Sequence, residues 1–328
     1  MLSLLRIKRL FWLIPTLFSL VVLSACSESG PVAGKQNQPA AMAEEKEVIA
    51  LVMKTLTNPF FIEMERGARD AERELGVRLV VKTAAQETSI QQQIGIVEDL
   101  IRDQVDAIVI APGDSVELVP VLKRAQDAGV VVINIDNRLD QEFSRVSGLT
   151  DVPFISVDNE QGAYTVVQAL TRPMTVPTQI AILEGIREAG NAIERKNGAL
   201  RAIRSQPLAE LVAQETAHWK IDEAYDVTRQ MFEQHPQIKA LFCANDMMAL
   251  GAVQYLQETG RQDVKVAGYD ALEQALTAVK EGSMVATIDQ QAAEQGYQGV
   301  LFAHRALHGE RQPAVVLIDT RLVTADSL

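Results

Sequence analysis

Short, uniformly apolar runs recur along the chain; each stops at a hydrogen-bonding residue, and the residues after it begin an amphipathic helix. The runs Ala107 to Ile110, Val130 to Ile133 and Ile180 to Leu183 lack polar alternation and are too short for buried helices. They read as parallel strands covered on both faces. Strands are expected near residues 48–53, 77–82, 107–111, 130–135 and 154–157, and again near 179–183, 210–215, 240–243, 264–268 and 284–288. Helical stripes lie between them: Phe61, Met64, Ala68, Ala71 and Leu75 share one face before Gly76 supplies a stop, and Ile90, Ile94, Val97 and Ile101 repeat the spacing. Strand then helix, repeated, predicts an α/β fold of doubly wound parallel sheets, and the length suits two such domains. Ligands of such sheets bind beyond the carboxyl ends of the strands. The polar residues closing the clearest runs, Asn58, Asp136, Asp158, Asn245, Asp270 and Gln290, therefore become candidates for a site.

The first residues follow a different pattern. Arg6, Lys8 and Arg9 precede an apolar stretch from Leu10 to Val22, which leads into Leu23-Ser24-Ala25-Cys26. A short apolar region ending in small residues reads as a signal peptide over residues 1–25, not as a membrane span. The segment resembles the bacterial lipobox, which implies a lipid on Cys26; ordinary secretory cleavage beside an incidental cysteine is the alternative. Cys243, the other cysteine, lies in the apolar run Ala240 to Cys243 and reads as a buried small hydrophobe. Residues 26–46 have no apolar period and read as a flexible tether; about twenty such residues span roughly 25 Å.

Charge and motifs narrow the function. Loss of the signal peptide removes three positive charges and no negative ones, taking the formal net charge from -12 to -15. So acidic an exported chain lacks the Lys and Arg clusters that hold a phosphate backbone, which argues against nucleic acid as a partner. The chain has no G-x-G-x-x-G after a strand, no G-x-x-x-x-G-K-[ST], no G-x-S-x-G, no H-E-x-x-H and no C-x-x-C. It is therefore read as a non-enzyme without a cofactor. His304 and His308 have a metal-ligand spacing, but no third ligand is near them in sequence, so a helix end beside Gly309 is preferred and no metal is expected.

Thr57-Asn58-Pro59-Phe60-Phe61 is the most informative short segment. Asn58 and Pro59 suit a helix N-cap and first position. Two adjacent aromatics point about 100° apart on a helix, so one can serve the core while the other covers a ligand. Asp136, Asn245, Asp246 and Asp270 are each explicable as caps. As a set with Asn58 and Gln290 they suit a hydroxyl-binding shell, since carboxylates accept and amides both donate and accept. Trp219 and Tyr269 are candidates for an aromatic wall.

At these residues the chain resembles the periplasmic sugar-binding proteins of the ribose, galactose and allose type, from Val48 to Val323. The most specific segments are Lys54 to Phe61, Glu194-Arg195-Lys196-Asn197-Gly198, Cys243 to Gly251 and Thr287-Ile288-Asp289-Gln290. Lys54 and Cys243-Ala244-Asn245-Asp246 look most like the allose-binding branch. The resemblance implies the type I periplasmic binding protein fold, two domains joined by a three-segment hinge. The first domain would hold residues 46–157 plus 290–319 and the second 158–289 plus 320–328, crossing near Asp158, Asp289 and Asp319. It implies sugar contacts from Lys54, Asn58, Phe60, Phe61 and Asp136 in the first domain. From the second it implies Trp219 as a stacking wall, Asn245, Tyr269 and Asp270, with Gln290 at the hinge. Where ribose-type proteins carry arginines this chain is read as having Asn137 and Ile193, with Arg138 adjacent, which disfavours ribose as ligand. Implied partners are a monosaccharide or small polyol, an ABC permease with its ATPase, and a membrane reached through the lipid; the chain would act as a periplasmic monomer. A sugar-sensing receptor reporting to a chemoreceptor or sensor kinase is the alternative. A repressor's effector domain would need a basic helix-turn-helix where the signal peptide lies, and a hydrolase would use paired carboxylates such as Asp136 and Asp270.

Overall fold

The computed structural model describes residues 46–328, so the expected signal peptide, Cys26 and nearly all of the expected tether lie outside the described residues. In chain order the first half comprises β1 (Val48–Met53), α1 (Pro59–Leu75), β2 (Arg78–Thr83), α2 (Ile90–Arg102), β3 (Ala107–Ile110), α3 (Val119–Asp127), β4 (Val131–Ile135), α4 (Gln141–Val146) and β5 (Phe154–Val157). Then come α5 (Asn159–Thr171), β6 (Thr178–Glu184), α6 (Gly190–Arg204), β7 (Ala209–Thr216), α7 (Ile221–Gln234), β8 (Ile238–Cys243), α8 (Asp246–Glu258), β9 (Lys265–Ala267), α9 (Glu273–Glu281) and β10 (Ala286–Asp289). The chain finishes with α10 (Ala292–Leu307), β11 (Val315–Ile318) and β12 (Arg321–Thr324).

Two sheets result, ordered β11-β5-β4-β3-β1-β2 and β12-β10-β9-β8-β6-β7. Every pairing is parallel except that of β12 with β10. Each sheet reverses direction next to its first strand, the arrangement that opens a crevice at the carboxyl ends. The central strands are buried throughout, as their uniform apolar sequences require: all four residues of β3 and of β5 are buried. The strands β11 and β12 have no counterpart in the sequence reading, because both lie on sheet edges and are half exposed.

Helix ends follow local chemistry. Asn58 caps α1 by accepting from the Phe60 amide, and Gly76 ends it in the left-handed conformation at φ 72°. Helices α1 and α10 cross with their backbones nearly in contact. A Cβ on Gly67 would stand 1.8 Å from the Ala293 carbonyl oxygen, and one on Gly296 would stand 2.0 Å from that of Met64. The chain passes between the sheets three times, after β5, after β10 and between β11 and β12. Gln291 joins two of these passages, its Nε2 donating to the Asp319 carbonyl and its backbone N–H to Asp289 Oδ1. Cys243 is fully buried in β8, and that burial pushes its thiol well above the usual range. No described helix is long and apolar enough to cross a membrane.

Candidate sugar-binding cleft

Between the two sheets lies a small cavity of about 20 Å³. It falls far below the roughly 300–1,000 Å³ of pockets for drug-sized ligands, so the walls already lie close together and a ring-sized guest enters only as they part. Its wall is Lys54, Asn58, Phe60, Phe61, Glu87 and Asp136 from the first sheet's side, and Asn191, Arg195, Trp219, Asn245, Asp270 and Gln290 from the second. All but Asp270 are buried, and the Asp270 side chain is only 3% exposed.

The strand-end residues reach the wall because the sheets aim them there. Asn58 follows β1, Asp136 follows β4, Asn245 follows β8 and Gln290 follows β10. Cap and wall are compatible roles: Asn58 Oδ1 takes the Phe60 amide while its Nδ2 donates to Glu87 Oε1 at 3.0 Å. Likewise Asn245 Oδ1 takes the Met248 amide and its Nδ2 donates to the Trp219 carbonyl at 3.2 Å. Phe60 and Phe61 both line the cavity, edge to face at 5.1 Å between centroids. Three wall residues hold left-handed backbone: Asp136 at φ 62°, Trp219 at 69° and Asp270 at 124°. Such conformations cost on the order of 1–3 kcal/mol each in a residue other than glycine and persist only where the surroundings enforce them.

Charges in the wall are compensated from within. Lys54 Nζ lies 2.8 Å from Asp136 Oδ2, and an Arg195 guanidinium nitrogen lies 3.6 Å from Asp270 Oδ1. Burial pushes the Asp270 carboxyl well above its usual range, against the pull of Arg195, and raises Glu87 as well. Both wall cations are thus taken up by carboxylates, while Glu87 has, among the described residues, only the Asn58 amide as its hydrogen-bond partner. Donors and acceptors are plentiful all the same: Asn191 Oδ1 and Trp219 Nε1 are buried without a protein partner. The Trp219 ring lies flat over Gly185, where a Cβ would stand 2.0 Å from Cζ2.

Arg195 organises the far wall. It donates to Asn159 Oδ1 at 2.8 Å, to the Ala244 carbonyl at 2.8 Å and to Gln290 Oε1 at 3.2 Å. Its guanidinium also stacks on Tyr269, 3.8 Å from the ring centroid. Gln290 passes the linkage on, its Nε2 donating to Asp270 Oδ1 at 2.5 Å.

Four expected site residues do not line the cavity. Ile193 is 40% exposed on α6; two positions on, a helix turns about 200°, so Arg195 faces the cavity that Ile193 turns away from. Asn137 is buried as a joint between the halves, donating to the Pro112 carbonyl and Ser115 Oγ and accepting the Asn191 amide at 3.2 Å. Arg138 stacks on Phe154 instead. Tyr269 is fully buried behind Arg195, in space left by Gly162, and supports the wall without forming it. Asp246 is likewise an internal anchor: its oxygens take Thr287 Oγ1 at 2.8 Å and the Leu272 amide at 2.9 Å. Sequence reasoning missed Glu87, Asn191 and Arg195. Glu87 lies in the loop after β2, and the strand-end rule could have found it; the other two sit on α6, beyond that rule's reach.

Two α/β domains enclosing a walled polar cavity at their strand ends define a solute-binding protein. The chain belongs to the periplasmic binding protein domain family, whose model matches residues 49–311. It is 40% identical over 316 residues to the D-ribose/D-allose-binding protein of Pseudomonas aeruginosa, covering 94% of this chain and 97% of the relative. Identity to the D-allose-binding periplasmic protein of Escherichia coli is 32% over 309 residues, covering 90% and 97%. Among solved structures, an ABC transporter periplasmic solute-binding protein from Actinobacillus succinogenes with bound D-allose superimposes with a TM-score of 0.82 at 35% identity, covering 86% of this chain and 99% of that one. The fold is thus the type I periplasmic binding protein fold that the resemblance implied.

Proposed function

We propose that the chain is a lipid-anchored periplasmic receptor of an ABC importer, binding a neutral monosaccharide or small polyol in the cleft by hinge closure. The carrying observation is a cavity at the strand ends of both sheets with aromatic and hydrogen-bonding walls, in which Lys54 and Arg195 are each taken up by a wall carboxylate. Phe60, Phe61 and Trp219 suit the apolar C-H faces of a sugar ring, and Asp136, Asp270, Asn58, Asn245, Asn191 and Gln290 suit its hydroxyls. The relatives named for D-ribose and D-allose support an aldose of that class. Ribose returns to the candidates, since the argument against it rested on Asn137 and Ile193, neither of which lines the cavity, and the wall holds Arg195. Crossings after β5, after β10 and between β11 and β12 support closure by rotation about three strands.

Isothermal titration against ribose, allose and a polyol panel tests the reading, with binding of at least one member expected. Failure of every member at millimolar concentration would refute it. The anchor is tested by Cys26→Ser, which should release the protein from membranes into the soluble periplasmic fraction; unchanged membrane association would exclude lipidation at Cys26. Uptake of the bound sugar should fall when the gene is deleted, and intact uptake would remove the transport role.

A further inference from the structure

The two histidines that the sequence left without a third ligand meet one in the fold. Glu47, the residue before β1, lies 257 positions from His304, yet its carboxylate stands 2.7 Å from His304 Nδ1 and 3.4 Å from His308 Nδ1. One ligand atom from each of the three lies within 4.8 Å of the other two. We propose that Glu47, His304 and His308 form a binding site for a borderline transition metal such as Zn²⁺, remote in chemistry from the sugar cleft and sharing no residue with it.

Geometry, field and rigidity agree on this assignment. Around a tetrahedral Zn²⁺ with bonds of about 2.0–2.1 Å, donors sit roughly 3.3 Å apart. The existing separations bracket that value, and the half-exposed side chains need only small rotations to reach it. Histidines four apart on a helix present both rings to one face, and these two ring centroids are 4.4 Å apart. His308 Nδ1 also meets the His304 carbonyl at 2.9 Å, a contact that ligation through Nδ1 exchanges for the metal. Both histidines lie at the C-terminal end of α10, where the helix dipole favours a cation. Glu47 is held in place by its own carbonyl, which accepts the Arg78 amide at 2.8 Å. Two imidazoles with one carboxylate suit Zn²⁺ better than Mg²⁺ or Ca²⁺, which prefer all-oxygen sets. On binding, the cation takes the place of the hydrogen between Glu47 and His304, whose imidazole then carries its proton on Nε2. Three protein donors leave a fourth position for water. The bound ion would clamp the residue entering β1 to the end of the helix that covers the first sheet.

The test uses the mature protein without a histidine tag, stripped by chelator and titrated calorimetrically with Zn²⁺. One equivalent should bind, and the thermal midpoint should rise with Zn²⁺ concentration. The substitutions Glu47→Gln, His304→Ala and His308→Ala should each abolish binding at Zn²⁺ concentrations that saturate the parent. Sugar titrations on the same variants verify folding and should match the parent. Absence of Zn²⁺ binding by the parent, or binding retained in all three variants, would overturn the assignment.

Discussion

Arg195→Met is the most informative perturbation of the cleft. Methionine retains packing volume over Tyr269 but removes a guanidinium that donates to Asn159, Ala244 and Gln290 and stands 3.6 Å from the Asp270 carboxylate. Breaking a buried charge pair by deleting one partner costs about 3–5 kcal/mol, because the survivor is left uncompensated. Asp270 has a partial escape, since burial already holds its carboxyl well above the unfolded value of 3.8, and without Arg195 it takes up a proton still more readily. A carboxyl whose folded pKa is raised favours the folded state below its unfolded pKa and loses that contribution as pH rises through the folded value. The variant's deficit against the parent should therefore be small near pH 4 and grow toward about 3–5 kcal/mol in mildly alkaline buffer. Urea unfolding of both proteins at the two pH values measures it, and native stabilities of roughly 5–15 kcal/mol leave room to observe it. Adding Asp270→Asn to the variant should recover part of the loss at high pH, because no charge then remains to be stranded. A deficit below about 1 kcal/mol at both pH values, or an equal deficit at both that Asp270→Asn fails to relieve, would refute the reasoning.

Gly185→Ala places a Cβ 2.0 Å from Trp219 Cζ2, so the ring must tilt; sugar affinity should fall by about 1–3 kcal/mol of overpacking strain, and an unchanged calorimetric affinity would show that the ring's pose is unimportant. Trp12 and Trp219 are the only tryptophans, so in protein lacking the signal peptide a sugar-dependent change in emission should come from Trp219 and disappear in Trp219→Phe; calorimetric binding with silent fluorescence in the parent would place the ligand elsewhere. Asp246→Asn addresses a buried acid pushed by burial from 3.8 up to about 6. Between those values the parent should lose stability relative to the variant as pH rises, by on the order of a few kcal/mol in denaturant titrations, and a pH-independent difference would show that Asp246 is not the titrating group.

The buried strands and the strand-end half of the cleft were legible because both follow from simple accounting. A strand covered on both faces must be apolar throughout, as β3 is, and a sheet with helices on both faces leaves its polar exits at the carboxyl ends, where Asn58, Asp136 and Asn245 stand. Strands β11 and β12 escaped because an edge strand has one free side and needs no such purity. The metal triad escaped for another reason, since nothing local relates Glu47 to a helix 257 residues away.

Helix α6 shows where pattern reasoning fails and why. Patterning assigns charge to solvent and apolar side chains to the interior, but here Arg195 is 3% exposed and Ile193 is 40% exposed. Such an inversion is unfavourable unless the charge and its donors are engaged, and Arg195 is held by three hydrogen bonds, a carboxylate and an aromatic face. The left-handed backbone at Asp136, Trp219 and Asp270 breaks local preference in the same few residues. A sequence optimised only to fold would place apolar side chains and relaxed backbone there, as it does through β3 and β8. Three of the eight non-glycine residues with left-handed backbone among the described residues fall in this one small wall, and a binding site uses such departures because the groups that recognise a guest must be dry, aimed and held before it arrives.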